Sequence, residues 1–271
     1  MPLADTNTYD AGPSRGKEPA RSRYTVRITR SSPLTGNRFL DTLPAEVAAH
    51  CLARSERRTQ LPGVLIAHRG DRVEEVHFPV RGAVSEIEEG LDGGSNEVTA
   101  IGPEGVCGVE ALLDVPLCPF LRIIEVKTSS VVIPLGVLLE VRDRSADFHR
   151  LLHRYTAARL HGAGISIGCN ARHDAQARLA RWFLRLNDRV GNDDFELTHE
   201  TISLMLGVRR ATVTRAVAVL VDAGAISAGR NALRILDRAR LEALCCSCYP
   251  EARELYDVLY GESSVPTSPL D

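Results

Sequence analysis

The stretch Leu197-Thr-His-Glu-Thr-Ile-Ser-Leu-Met-Leu-Gly-Val-Arg-Arg-Ala-Thr-Val-Thr-Arg-Ala-Val-Ala-Val-Leu-Val-Asp-Ala-Gly-Ala-Ile226 decides the reading of this chain. Thr198 suits an N-cap, because its short hydroxyl accepts from a free amide of the first turn, and a helix runs from it to Leu206 with Ile202 and Leu206 on one face. Gly207 supplies a turn. A second helix from about Arg210 to Ala223 buries Val213, Ala216, Val217 and Leu220 at helical spacing and stops at Gly224, a residue that enters the left-handed region without strain. Ser203 is small enough for the two helices to cross closely. The pattern is a helix-turn-helix, and Ile226 to Leu236 extends it as strand, Gly-Arg-Asn turn and strand, a β wing.

The outer side of the second helix shows Arg209, Arg210, Thr212, Thr214 and Arg215 near its start, the end that enters a major groove. Arg210 or Arg215 can each hold a guanine O6/N7 pair, worth about 1–3 kcal/mol of discrimination. The threonine hydroxyls suit phosphates or base edges, Thr198 and His199 open the bracing helix beside them, and Arg230 on the wing reaches a phosphate. These eight residues form the candidate DNA surface. The plainer reading is a solvated helical hairpin with arginines on its outer face.

Composition sets the frame. The 271 residues allow one to three domains, and 44 % apolar with 25 % charged residues is globular rather than disordered composition. A net charge of −2 makes any nucleic-acid footprint local, so the cluster at 209, 210 and 215 counts for more than the sum. Lys17 and Lys127 are the only lysines, and arginine is the cation that makes fixed, two-pronged hydrogen bonds. Cys51, Cys107, Cys118, Cys169, Cys245, Cys246 and Cys248 are odd in number and irregular in spacing, which favours a reducing cytoplasm over a disulfide framework. Neither a signal core nor a membrane-length apolar run is visible, so a cytoplasmic location without membrane contact is expected.

Between Leu61 and Leu135 short β-prone runs (64–66, 73–80, 83–87, 98–101, 123–126 and 131–133) are broken by glycines at turn spacing, which predicts an antiparallel sandwich or roll. A short helix, Leu43 to Leu52, precedes it. Farther on, Leu151, Tyr155, Ala158, Gly162, Ile165 and Cys169 follow one another at intervals of 4, 3, 4, 3 and 4, the stripe of a two-helix seam, and are read as a dimer interface. The alternative is a helix packed on its own β domain.

The order of glycine-punctuated β domain, linking helix and winged helix-turn-helix, with Leu197-Thr-x-Glu and Leu206-Gly-Val-x-Arg-x-Thr-Val-x-Arg215, resembles the Crp/Fnr family of bacterial transcription regulators over roughly residues 40 to 250. The resemblance implies an α+β fold: a disordered N-terminal tail (1–38), a jelly-roll-like antiparallel β-roll sensor domain (39–142), a long dimerisation helix (143–170), a winged helix-turn-helix domain (171–250) and a partly disordered C-terminal extension (251–271). It also implies double-stranded DNA, a second copy of the chain and RNA polymerase as partners, with the arginines matching Arg210 and Arg215 on the DNA. The family often has Glu after the first arginine. Ala211 stands there instead, so the operator is expected to differ.

Members that bind cyclic nucleotide carry a Gly-Glu-Leu cradle and, a short way on, Arg-Ser/Thr-Ala. This chain has Gly108-Val109-Glu110-Ala111 and Pro119-Phe120-Leu121-Arg122, with the carboxylate displaced and Phe120 about where the phosphate arginine belongs. No cyclic nucleotide is expected, and Gly108, Glu110, Phe120 and Arg122 remain as a shifted effector pocket. The family's iron-sulfur members carry their ligands mainly near the N-terminus, where no cysteine precedes Cys51, so no cluster is expected either.

Two further motifs point elsewhere. Gly164-Ile-Ser-Ile-Gly168 matches the serine-hydrolase elbow, but that motif needs a preceding buried strand and the surrounding spacing is helical, so no catalytic residue and no enzyme are expected. Cys245, Cys246 and Cys248 contain a C-x-x-C, yet no second C-x-x-C or His pair follows, so no metal is expected. The reading is a dimeric, sequence-specific transcription regulator, with a small-molecule sensor whose DNA contact is vestigial as the alternative.

Overall fold

The β-prone runs of the first half pair into one antiparallel sheet in the computed structural model, which describes residues 35–90 and 94–261. Its strands are β1 (Glu56–Gln60), β2 (Leu65–Ala67), β3 (Glu75–Glu89), β4 (Ser95–Ile101) and β5 (Leu121–Pro134), in the order β1-β5-β3-β4 with β2 also on β5. β3 and β5 are long ribbons whose register shifts around Pro79, Arg81 and Ala83 let them curl into a roll. Gly82 makes the bend at φ 90, where an added Cβ would lie 2.5 Å from the Lys127 carbonyl oxygen, so glycine alone fits. β1 escapes the sequence pattern because Glu56-Arg-Arg-Thr-Gln60 is polar and mostly exposed; its backbone pairing to β5 holds it.

Helix α1 (Arg38–Thr42) drives Phe39 among the rings of Phe78, Phe148 and Tyr155, all within 6.0 Å centroid to centroid. Asn37 caps α1 and donates from its buried amide to the Pro79 and Gly105 carbonyls. Residues 35–38 are therefore locked into the core rather than closing a disordered tail; the rest of that expected tail, 1–34, lies outside the described residues. α2 (Ala45–Leu52) follows, with Pro44 before its first turn, and α3 (Leu135–Arg144) leads to α4 (Ala146–Arg172), whose N-cap Ser145 accepts from the Phe148 amide.

The second half holds α5 (Ala175–Val190), β6 (Asp194–Phe195), α6 (His199–Leu206), α7 (Arg210–Asp222), β7 (Ile226–Gly229), β8 (Ala232–Ile235) and α8 (Arg238–Ala243), with the small sheet ordered β6-β8-β7. A last helix, α9 (Cys248–Tyr260), runs back along α4. The extension expected to be partly disordered from 251 is thus helical to Tyr260, because Tyr249, Ala252, Leu259 and Tyr260 find buried sites; residues 262–271 lie outside the described residues.

This helix overturns the expected dimer seam. Leu151, Tyr155 and Ala158 are buried in the β-roll core of their own subunit, and the Tyr155 hydroxyl accepts from the Val106 amide (2.8 Å) and donates to its carbonyl (3.2 Å). Gly162 faces Leu255 of α9, while Ile165 and Cys169 pack on Cys246, Cys248 and Ala252. The 4-3 spacing marks a buried stripe without saying what buries it. On the opposite side of α4 a second stripe of the same spacing, Ala157, Leu160, Gly164 and Ile167, faces solvent, with Leu160 77 % and Ile167 70 % exposed.

The two halves share one core. Ala83, Ile87, Ala100 and Val126 of the roll join Leu179, Trp182, Phe183 and Leu186 of α5, and Arg189 pairs with Glu104 at 2.6 Å across the junction. Here the buried Glu125 carboxyl accepts from Ser85 (2.9 Å) beside Glu97; burial first, and the neighbouring Glu97 charge second, push its pKa up to about 8. The folded chain holds a proton that the unfolded chain releases near 4.5, so stability falls as pH rises from 4.5 towards 8, by about 1.4 kcal/mol per unit. Glu125→Gln removes that dependence. Thermal midpoints of the two proteins should converge near the acid end of this window and separate near its alkaline end, with the variant higher; a difference independent of pH would contradict the assignment.

Candidate nucleic-acid interface

Thr198 caps α6 by accepting from the Thr201 amide at 3.0 Å, and Gly207 ends it at φ 61. Ser203 then donates across the turn to the Val208 carbonyl at 2.5 Å, fixing the angle at which α7 leaves. α7 buries Val213, Ala216, Val217 and Leu220 against α5 and α6, which turns the other side of the helix outward. On that side Arg209, Arg210, Thr214 and Arg215 are exposed and Thr212 is half-buried.

The charge pattern distinguishes this face. Among the described residues no carboxylate pairs with Arg209, Arg210, Arg215 or Arg230, whereas Arg234, Arg238 and Arg240 of the same domain pair with Asp194, Asp188 and Asp237. α7 has no acidic residue in its first turn, so its free amides and dipole add to the positive end. Arg215 keeps only a 3.4 Å contact to the Thr212 hydroxyl. Arg230 projects from the wing turn, where Asn231 takes φ 58.

Three of the candidate residues are already occupied. The Thr198 hydroxyl is the cap, and His199 Nδ1 meets the Thr214 hydroxyl at 3.1 Å, which itself donates to the Arg210 carbonyl. They hold α6 against α7 and leave the arginines and Thr212 as the groups able to reach a duplex. The α6–α7 turn rests on β4, with Gly207 against Asn96, and α7 remains uncovered.

In the roll, Glu110 and Arg122 do come together, at 2.7 Å, but inside a closed ion network. Arg122, 2 % exposed, also pairs with Glu86 at 2.8 Å, and Glu86 pairs with Arg159 from α4. Burial opposes charge on Glu86, and Arg159 and Arg122 more than offset it, holding the carboxyl below its usual range. Two cations and two anions thus neutralise one another. A cavity of about 510 Å³ adjoins this network, lined among others by Arg72, Glu75, His77, Cys107 and Arg122. Gly108, at φ 102, starts the short helical turn that carries Glu110, and Phe120 does not line the cavity.

Two remaining motifs fall on α4. Ser166 lies mid-helix with no strand before it, so the hydrolase elbow is absent there. The cysteine motif was judged short of ligands on local spacing, but the fold brings Cys169 and His173 to Cys246 and Cys248 across 77 residues of chain. The sequence signal that could have flagged them is Cys169 and His173 one helical turn apart.

Residues 177–244 match the family described as the Crp-like helix-turn-helix domain. Over 223 residues the chain is 25 % identical to the cyclic AMP receptor protein of Thermus thermophilus, covering 79 % of this chain and 97 % of that one. The fold is similar to that of FixK2 from Bradyrhizobium japonicum, with a TM-score of 0.60 at 23 % identity over 71 % of this chain and 98 % of that one. A CRP-family transcriptional regulator of Thermus thermophilus gives a TM-score of 0.58 at 21 % identity, over 69 % and 95 % of the two chains.

Proposed function

We infer that this chain, a Crp/Fnr-type transcription regulator with a helix-turn-helix DNA-binding domain, acts as a homodimer on near-palindromic duplex sites. The observation that carries the reading is the carboxylate-free arginine face of α7, braced from behind by α6 and open to solvent. Arg210 and Arg215 take guanine edges, and Arg209 and Arg230 take phosphates. The exposed α4 stripe Ala157, Leu160, Gly164 and Ile167 joins the two subunits, its small residues letting the helices approach. The two α7 helices then meet successive major grooves about 34 Å apart.

The roll regulates this arrangement through the Glu86–Arg159 pair, which ties the cavity side of β3 to α4. A cyclic nucleotide phosphate would have to displace two resident carboxylates from Arg122, so the effector is of another kind. The protein works in the cytoplasm without a catalytic step, with RNA polymerase as its further partner; among the described residues no helix is long and apolar enough to cross a membrane.

Selection of bound duplexes from a random pool tests the reading. Enriched sequences should resolve into two inverted half-sites about one helical turn apart. A pool without enrichment would support the other reading, a small-molecule sensor whose DNA contact is vestigial.

A further inference from the structure

We propose that Cys169, His173, Cys246 and Cys248 form a tetrahedral site for one zinc ion at the junction of α4 and the winged helix-turn-helix domain. The three Sγ atoms and an imidazole nitrogen all lie within 4.8 Å of one another. Cys169 Sγ is 3.6 Å from Cys246 Sγ, and Cys248 Sγ is 3.6 Å from His173 Nδ1. Zinc with thiolates at about 2.3 Å and imidazole at about 2.0 Å has tetrahedral edges of roughly 3.5–3.8 Å, so these two edges stand ready and the rest close by small movements. A multi-iron cluster holds each thiolate on a separate iron and spreads them wider than this.

Chain geometry and charge support the same assignment. Cys169 and His173 are one turn apart on the last two turns of α4, and Cys246 and Cys248 flank the start of α9, so four ligands come from two rigid helix ends. The three cysteines are buried and His173 is half-buried, which leaves a path to solvent on the imidazole side. On binding, three thiol protons leave to solvent and no electron is exchanged; Zn²⁺ with three thiolates and a neutral imidazole carries one negative charge. Arg181 faces the thiols with buried Nε and Nη1 that have no hydrogen-bond partner, and it supplies the balancing cation. Cys245 stands outside the site, its thiol directed at the Cys246 carbonyl.

The site does a definable job. His173 immediately precedes α5 and Cys246 follows α8, so the ion fastens the two ends of the DNA-binding domain at one point and closes a long loop in the unfolded chain. This holds whether or not the DNA reading is correct, since its readout is metal binding and stability.

The test uses the full chain, stripped with a chelator under reducing conditions and titrated with Co²⁺ and then Zn²⁺. One Co²⁺ per chain should bind with the visible spectrum of tetrahedral coordination and an intense thiolate-to-cobalt charge-transfer band, and one Zn²⁺ should displace it. Cys248→Ser should weaken the band, His173→Ala should lower affinity at least about tenfold, and Cys245→Ser should change neither. Zinc should raise the thermal midpoint of the native chain and leave that of Cys248→Ser unmoved. An octahedral cobalt spectrum without charge transfer in the native chain overturns the proposal and needs no variant. So does a Cys169–Cys246 disulfide persisting in reductant, or equal loss of binding in Cys245→Ser.

Discussion

Arg215→Ala is expected to lower affinity for a selected duplex by about 5- to 150-fold, the equivalent of ~1–3 kcal/mol, while binding to a scrambled duplex at the same salt changes little. The asymmetry follows from what the side chain can reach. Arg215 is exposed on α7, free of any carboxylate among the described residues, and steadied only by the Thr212 hydroxyl. A guanidinium so placed matches a guanine edge, and its loss removes discrimination rather than general attraction. Arg210→Ala should act alike at a neighbouring base position. Arg230→Ala on the wing should instead weaken both duplexes equally and flatten the salt dependence. Competition binding at one fixed salt concentration separates these outcomes; equal loss on both duplexes for Arg215→Ala would place that residue on phosphate.

The second large effect concerns assembly. Leu160→Arg is expected to dissociate the dimer, since burying a leucine contributes about 1.5–3 kcal/mol and the substitution falls twice in a symmetric seam, with two like charges brought together. Dimer affinity should drop by at least about a thousandfold, while the subunit keeps its thermal midpoint because Leu160 touches little of its own chain. Tyr155→Ala should do the reverse. It opens a fully buried site between Phe39 and Val106 and costs the subunit ~3–5 kcal/mol, whatever the oligomeric state. Sedimentation equilibrium paired with thermal unfolding distinguishes the two stripes, and a Leu160→Arg protein that stays dimeric would show that the seam lies elsewhere.

Contrast between these stripes shows how far sequence alone reaches. The helix-turn-helix was legible almost residue by residue, because caps, turn glycine and apolar spacing are all local: Thr198, Gly207 and Val213 to Leu220 sit where their patterns place them. The roll was legible as a class from glycine spacing, although β1 was hidden by its polar sequence. What could not be read locally was partnership. A 4-3 stripe looks the same facing a second subunit or α9, and α9 was masked by the polar, proline-containing residues that follow Tyr260. The Arg122–Glu110 pair was anticipated, yet Glu86 and Arg159, which neutralise Arg122, lie far away in sequence. The same distance separates Cys169 and His173 from Cys246 and Cys248. Sequence spacing counts ligands along the chain, and the fold counts them in space.

Dimethyl sulfate interference on the selected duplex tests the groove assignment most directly, because it methylates guanine N7 in the major groove and adenine N3 in the minor groove. The account predicts that N7 methylation blocks binding at guanines in each of two half-sites about one helical turn apart, and that Arg210→Ala or Arg215→Ala relieves the block at one guanine per half-site. Interference confined to adenine N3, or none that responds to either arginine, would contradict it.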